Sequence, residues 1–528
     1  MLGITAGYQL SAHTAIPILA YVVSMLVMFM AMVYFHWQRA SFAFMLATIM
    51  LCFLVGMLRF QMQHDRIVGA IPEGTRHVVG IVSSPPKMAR HTLAVELRTC
   101  NDGKLMAYLQ PKKTPNVGDT IELFTTFAAR PTFDKDWNKT ERQDDADSFL
   151  SAYRHGLYLK GISSTCYADS NSWHVRPCTT GMSPLIWLQR MQTAMVDKYR
   201  QAGMTNDEGA IIEAMTTGNR QGISHELRQQ YARSGISHVL ALSGFHLSFL
   251  YGLLEMFLLT AFIRGRWKAV SRLVAVVVIW MFVMLAGMSA SLLRAAIMCS
   301  LMMLSNSITL RVSSNGRHTT MEFGSNLNEM GRHGLVNSLA MAAMIMLLVN
   351  PMQLFDIGFQ LSFLSMLGIA IYGRRVMQLS FFPANTLKFS HKVVARLMMI
   401  LRQIVSKVVE TALISLVCSV ITMPLVAYYF GMIPTLSILS NILVAPMSAG
   451  ILLLSALWWL FSPVSMLQGF VGEALLSVAT VMNDTARWVS SLDWSVVEWH
   501  PSVVVVCMAY ALLCCLHFIV RPLFREDK

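Results

Sequence analysis

The chain has 528 residues, of which 55% are hydrophobic and only 13% charged, about half the ~25% charge of an ordinary soluble domain. That composition excludes a single soluble globular domain. The formal charge of +13 admits a nucleic-acid partner, so its distribution along the chain decides what it means.

Taken in chain order, eleven apolar stretches approach or exceed the ~20 residues that a bilayer-crossing helix needs. They are 13–35, 41–59, 237–262, 269–287, 290–308, 335–349, 357–372, 408–430, 436–461, 466–488 and 501–520. The stretches at 335–349 and 357–372 are short and are expected to pack inside the bundle or to re-enter the membrane. The first stretch lacks a basic leader and is followed at once by a second, so it is read as a span and not as a cleaved signal. Spans alternating from an outside N-terminus put Arg39, Arg264, Arg266, Lys268, Arg272 and the basic residues of 311–332, 374–407 and 521–528 on the inside. The short outside loops near 288, 350–356, 431–434 and 489–500 hold no Lys or Arg. This follows the rule that basic residues stay cytoplasmic. The expected topology is therefore a cytoplasmic (inner) membrane protein with its C-terminus in the cytoplasm.

Between the second and third stretches lies a polar block that this topology places outside. Residues 61–235 carry 21 basic against 18 acidic residues, so the overall positive charge reports topology and not a nucleic-acid grip. Residues 75–180 alternate apolar and polar with turn signals, as at Gly118 and Asp119, and predict several short strands in a small barrel or sandwich. Residues 131–147 read as a charged loop. Residues 183–234 read as amphipathic helices, with Ser224 capping the stretch that Gly235 stops. They are expected along the membrane surface or packed on the barrel. The expected divisions are thus 1–60 (two spans), 61–182 (β domain), 183–235 (surface helices), 236–520 (membrane bundle) and 521–528 (cytoplasmic tail). Residues 311–334 read as a polar loop. Cys100, Cys166 and Cys178 fall in the outside block, where one disulfide among the three is permitted and no pair is singled out. No Cys/His spacing fits a metal, and no cofactor is expected.

Polar groups at bilayer depth are costly and mark function. The third stretch carries His238, Ser243, Gly244, His246 and Ser248. Ser243 and His246 are neighbours at helical spacing. They admit an intramembrane nucleophile and base, although a hydrated, pore-lining helix fits better, since no orienting acid is visible. Arg294 stands alone in the outer half of its span, positioned for an anionic ligand or a partner such as Glu255 or Asp356. Asp356 and Gln360 lie one turn apart beside Phe359 and Phe363. Prolines at 424, 434 and 446 and Asn441 interrupt a further segment; such breaks would expose backbone carbonyls to protein or water.

Four strings in one order resemble the ComEC-type competence proteins. "SGISHVLALSGFHLS" resembles that family's "GxxHLLAxSGLHxG", with Phe245 in place of Leu. "GMSASLLRAAIM" resembles "GxxPSxLRAxxM", with Ser289 and Ala290 where Pro-Ser is common. "NPMQLFDIGFQLSFLSMLGI" and "PLVAYYFGMIPTLSILSNILVAPM" resemble the remaining two signatures, and together the strings cover about 210–450.

The resemblance implies a polytopic α-helical membrane protein of about eleven segments, with an inserted OB-like extracytoplasmic β-barrel, an internal disulfide being usual in some members. It implies a channel subunit that moves single-stranded DNA across the cytoplasmic membrane in natural transformation. Implied partners are DNA-receptor and motor proteins, the lipid bilayer and a homo-oligomeric copy. Many members continue into a metallo-β-lactamase-like domain thought to degrade the non-transported strand. No such cluster of histidines is seen in this sequence, so no enzymatic role is expected and a nuclease would act in trans. No phosphate-binding loop is encoded either. The rival readings are a small-solute or lipid transporter, an intramembrane hydrolase using Ser243 and His246, and an assembly protein that transports nothing.

Overall fold

The computed structural model describes residues 1–10, 18–38, 41–68, 74–89, 92–99, 103–127, 156–176, 184–261, 267–305, 332–373 and 392–523. Cys100, Cys178, the loop 131–147 and most of 311–334 lie outside the described residues. The chain divides into two units, Met1–Thr193 with Ala343–Phe359, and Ala194–Ala342 with Gln360–Lys528.

The first unit opens with three helices, Leu2–Leu10, Ile18–Trp37 and Ser41–Val68. Gly3 and Gly56 lie in van der Waals contact, since a Cβ on Gly56 would meet the Gly3 Cα at 3.3 Å. Small residues permit such close approach between helices in an apolar surround. Arg59 donates from Nε and Nη2 to the carbonyls of Leu348 and Val349 at 2.7 and 3.0 Å. The guanidinium thereby caps the C-terminal end of the helix Arg332–Val349.

Seven strands follow: β1 (Gly74–Val82), β2 (Lys87–Ala89), β3 (Thr92–Thr99), β4 (Lys104–Leu109), β5 (Thr120–Phe127), β6 (Ile162–Ala168) and β7 (Trp173–Arg176). The pairing runs β1-β3-β4-β6-β5 and returns to β1, where eight residue pairs join Gly74–Ile81 to Phe127–Thr120. This closes the sheet and leaves only β2 and β7 off the ring. The β4·β6 pair is parallel and the others are antiparallel. Alternation drives the closure. Leu93, Val95 and Leu97 on β3, Leu105, Ala107 and Leu109 on β4, and Ile121 and Leu123 on β5 point inward and are buried. Cys166 joins this core as a free thiol, and burial raises its pKa to about 12.

The helix Pro184–Gln201 begins against this barrel. Gln189 donates to the Ser83 carbonyl, and Arg190 donates to the Val117 carbonyl and pairs with Asp119 at 3.4 Å. Asp119 also accepts from the Asn116 N–H, which tightens the turn at Gly118.

In the second unit, one core joins Tyr199, Met204 and residues of the helices Asp207–Thr216 and His225–Arg233 to Val444, Ile451, Trp458, Leu475, Ala479 and Met482. The helix Asp207–Thr216 belongs to the stretch expected at the surface, yet it is buried from Gly209 through Thr216. Its Glu213 is hidden by pairing. Arg200 donates to both carboxylate oxygens at 3.0 and 3.2 Å, and Asn219 donates at 3.1 Å.

Among the described residues, four helical stretches are long and apolar enough to cross a membrane: Leu46–Ile67, Val405–Phe430, Ser437–Leu460 and Ser465–Ser490. Shorter apolar helices include Val23–Tyr34, Leu273–Leu285, Ala290–Leu301, Leu335–Val349, Ile357–Gly373 and Val503–His517. The expected single span at 237–262 is broken. A short turn Ser237–Leu240 gives way to extended backbone at Ala241, and a new helix runs Gly244–Ala261. Conversely, Pro424 and Pro446 do not break their helices, which continue through both; only Pro434 lies in a non-helical strand. One lost N–H is tolerated where neighbours cover the backbone, as where the Tyr510 hydroxyl donates to the Ile421 carbonyl.

Candidate polar site around Arg294

Arg294 lies on the helix Ala290–Ser305, in the second unit, and is buried, with 5% of its surface exposed. Its Nη1 donates to the carbonyl of Ser362 on the helix Ile357–Gly368. The Ser362 hydroxyl in turn donates to the Ser291 hydroxyl at 3.2 Å, one turn before Arg294. Two serines thus hold the helix pair together where the arginine crosses. The guanidinium carbon stands 5.8 Å from the centre of the Phe363 ring, in cation–π range.

Gly244 completes the pocket wall. A Cβ there would come within 3.2 Å of Arg294 Nη2, so the absent side chain makes room for the guanidinium. A guanidinium has five N–H donors. Among the described residues no carboxylate pairs with Arg294, and its Nε meets no hydrogen-bond partner. A buried cation without a counter-charge is unfavourable unless an anion or water reaches it. The side chain of Glu255, one expected partner, lies outside the described set. Asp356, the other, accepts from the Phe359 N–H at 2.9 Å and caps the helix that follows.

Ser243 and His246 sit at the start of the helix Gly244–Ala261. His246 Nδ1 accepts from the Ser243 N–H at 3.1 Å and lies 2.9 Å from the Ser243 hydroxyl. This is the geometry of a capping box, in which the side chain three residues in reaches back to the N–H of the capping residue. His246 takes the place usually held by Glu or Gln. The spacing that admitted a nucleophile and base thus has a local structural use, which follows from where the helix starts.

The remaining candidates have surroundings of their own. Gln360 accepts from the Tyr429 hydroxyl at 3.0 Å. His238 is exposed on the turn Ser237–Leu240, and Asn441 is half-buried on the helix Ser437–Leu460. Among the described residues no hydrogen bond joins either to Arg294. The structure therefore unites Gly244 with Arg294, beside the Ser243–His246 cap, and adds Ser291 and Ser362, which the sequence reading passed over. Their signal was present, since Ser291 lies three residues before Arg294 and Ser362 beside Phe363. Among the described residues no group of His, Cys, Asp or Glu is arranged to hold a metal.

Several apolar helices, with a buried cation that no carboxylate among the described residues pairs, define a multi-pass helical membrane protein with a polar interior site. A family model described as Competence protein matches residues 215–316 and 328–523, more than half of the sequence, and the chain belongs to that family, the ComEC type that its motifs resemble. ComE operon protein 3 of Bacillus subtilis is 25% identical over 259 residues, which cover 47% of this chain and 27% of that protein. The chain therefore aligns with little more than a quarter of that relative's length. No solved structure matches.

Proposed function

We propose that this chain is a channel subunit that passes single-stranded DNA across the cytoplasmic membrane during natural transformation. The observation that carries the proposal is Arg294: a buried guanidinium whose Nε–H meets no hydrogen-bond partner among the described residues, packed against Gly244. A phosphate of a passing strand supplies a negative charge and accepts from the Nε–H. Membership in the competence family supports the same cargo.

In this proposal about eleven segments cross or enter the membrane, with the N-terminus and the barrel outside and the C-terminus in the cytoplasm. The barrel is OB-like, as its closed ring of five strands with one parallel pair supports. With 21 basic and 18 acidic residues across 61–235 it serves as an assembly surface for DNA-receptor proteins and not as the main grip on DNA. A motor supplies the energy, and a separate nuclease removes the second strand.

The test is uptake of labelled DNA in a strain deleted for the gene and complemented with variants of equal membrane abundance. Arg294→Ala is expected to reduce cytoplasmic uptake to the level of the deletion, and Arg294→Lys to restore part of it. Unchanged uptake with Arg294→Ala would overturn the channel reading and favour a passive assembly role.

A further inference from the structure

Two short strands pair at one end of the second unit. Met432–Pro434 lies antiparallel to Val496–Glu498, with Met432 opposite Glu498 and Pro434 opposite Val496. Further bonds extend the ribbon on both sides. Thr435 donates its N–H to the Ser495 carbonyl at 3.0 Å, and Trp499 donates its N–H to the Gly431 carbonyl at 3.0 Å. Gly431 has a left-handed φ of 65°, and the His500 ring occupies the place of its missing Cβ, so the ribbon's entry is sterically locked.

Around this rigid ribbon the large aromatic side chains point away from the protein. Trp488, Trp494 and Trp499 are 54, 66 and 41% exposed, and Phe430 is exposed beside them. We propose that the Met432–Pro434/Val496–Glu498 ribbon docks into one membrane–water interface through Trp488, Trp494 and Trp499.

Chain geometry supplies the first argument. The membrane-length helix Val405–Phe430 ends at this ribbon, Ser437–Leu460 starts from it, and Ser465–Ser490 ends beside it. Only six residues separate Phe430 from Ser437, a reach of at most about 22 Å. If those helices span the bilayer, the ribbon cannot lie far from its surface. Residue chemistry supplies the second. Tryptophan combines an apolar ring with one N–H donor, and it gathers at the headgroup level for that reason. Continuity supplies the third. Met423, Leu439, Val481, Val503 and Val504, on the adjoining helices, are also exposed, so exposed apolar side chains continue from the ribbon onto the spans. Residues 488–500 contain no Lys or Arg but include Asp493 and Glu498, which disfavours a nucleic-acid ligand at this surface.

The test uses the full chain in phosphatidylcholine vesicles and does not depend on the role of Arg294. Subtracting the tryptophan emission of Trp494→Phe from that of the unaltered protein isolates the Trp494 signal. Trp494 is 66% exposed and its indole N–H meets no partner among the described residues, so the substitution is expected to be tolerated; Trp499→Phe provides an independent second probe. Docking predicts stronger quenching by lipids brominated high on the acyl chain than by lipids brominated near its end, and weak quenching by iodide in the water. Strong iodide quenching with little effect of brominated lipid would overturn the proposal in favour of a water-facing ribbon. Little quenching by either agent would overturn it in favour of a covering protein partner, and stronger quenching by the deep bromines would place the ribbon in the hydrocarbon.

Discussion

Replacing Arg200 by Ala would leave Glu213 buried without its ion partner. The carboxylate residue is 3% exposed, and two of its three recorded donors come from Arg200. Removing one partner of a buried pair costs about 3–5 kcal/mol, because the remaining charge keeps its desolvation penalty. Asn219 retains one bond to Glu213, and the Arg200 side chain is itself 48% exposed, so water can partly fill the vacated site. The expected loss is therefore at the lower end, about 3 kcal/mol, or roughly a hundredfold in the unfolding equilibrium. Arg487→Ala is the control. It removes surface pairs with Asp484 and Asp207 between partners at least a third exposed, and pairs of that kind contribute about 0–1 kcal/mol. Denaturant unfolding in detergent micelles, followed by tryptophan emission, measures both. The double variant Arg200→Met/Glu213→Met buries no charge and should regain most of the loss. A cost for Arg200→Ala no greater than that of Arg487→Ala, or a double variant weaker than the single one, would refute the reasoning.

Other substitutions separate the roles assigned above. Ser243→Ala keeps the backbone N–H that His246 accepts and loses only the hydroxyl 2.9 Å from Nδ1, so it should cost no more than about 1 kcal/mol and leave DNA uptake largely intact; abolished uptake with normal membrane insertion would revive the nucleophile reading. Tyr231→Phe strips the buried Asn483 of the hydroxyl donor at 2.8 Å and should cost about 1–3 kcal/mol in the same unfolding assay. Gly235→Ala forces a side chain onto a φ of 77° with its Cβ 2.6 Å from that of Ser437, so it should destabilise by more than the ~1–2 kcal/mol of left-handed strain alone. The Cys166 thiol, raised by burial from 9.0 to about 12, should resist alkylation at pH 8 until the barrel unfolds, as mass spectrometry would read. Because the folded value lies above the unfolded one, this group's contribution is intact below about pH 9 and is lost as the pH climbs towards 12.

Much of the architecture was legible in the residues themselves. Period-two alternation in β3 and β4 announced a sheet with one buried face, and apolar runs of membrane length announced the long helices Val405–Phe430, Ser437–Leu460 and Ser465–Ser490. The helix Asp207–Thr216 was not legible as core. A charged residue such as Glu213 lowers local hydropathy, and only the fold shows that Arg200 and Asn219 neutralise it. The prolines misled in the opposite direction, because a single missing N–H does not reveal whether packing will carry the helix through it.

At the site the division is similar. Sequence alone determined that Arg294 stands in an apolar stretch and that Ser243 and His246 lie at helical spacing, since both follow from order along the chain. Only the tertiary structure decided that the helix restarts at Gly244, which turns the Ser–His pair into a cap. It also decided that Arg294 packs against Ser362, Phe363 and Gly244 with no carboxylate among the described residues. Hydropathy and spacing are local properties. A buried charge acquires its meaning from the groups that distant parts of the chain bring to it or withhold.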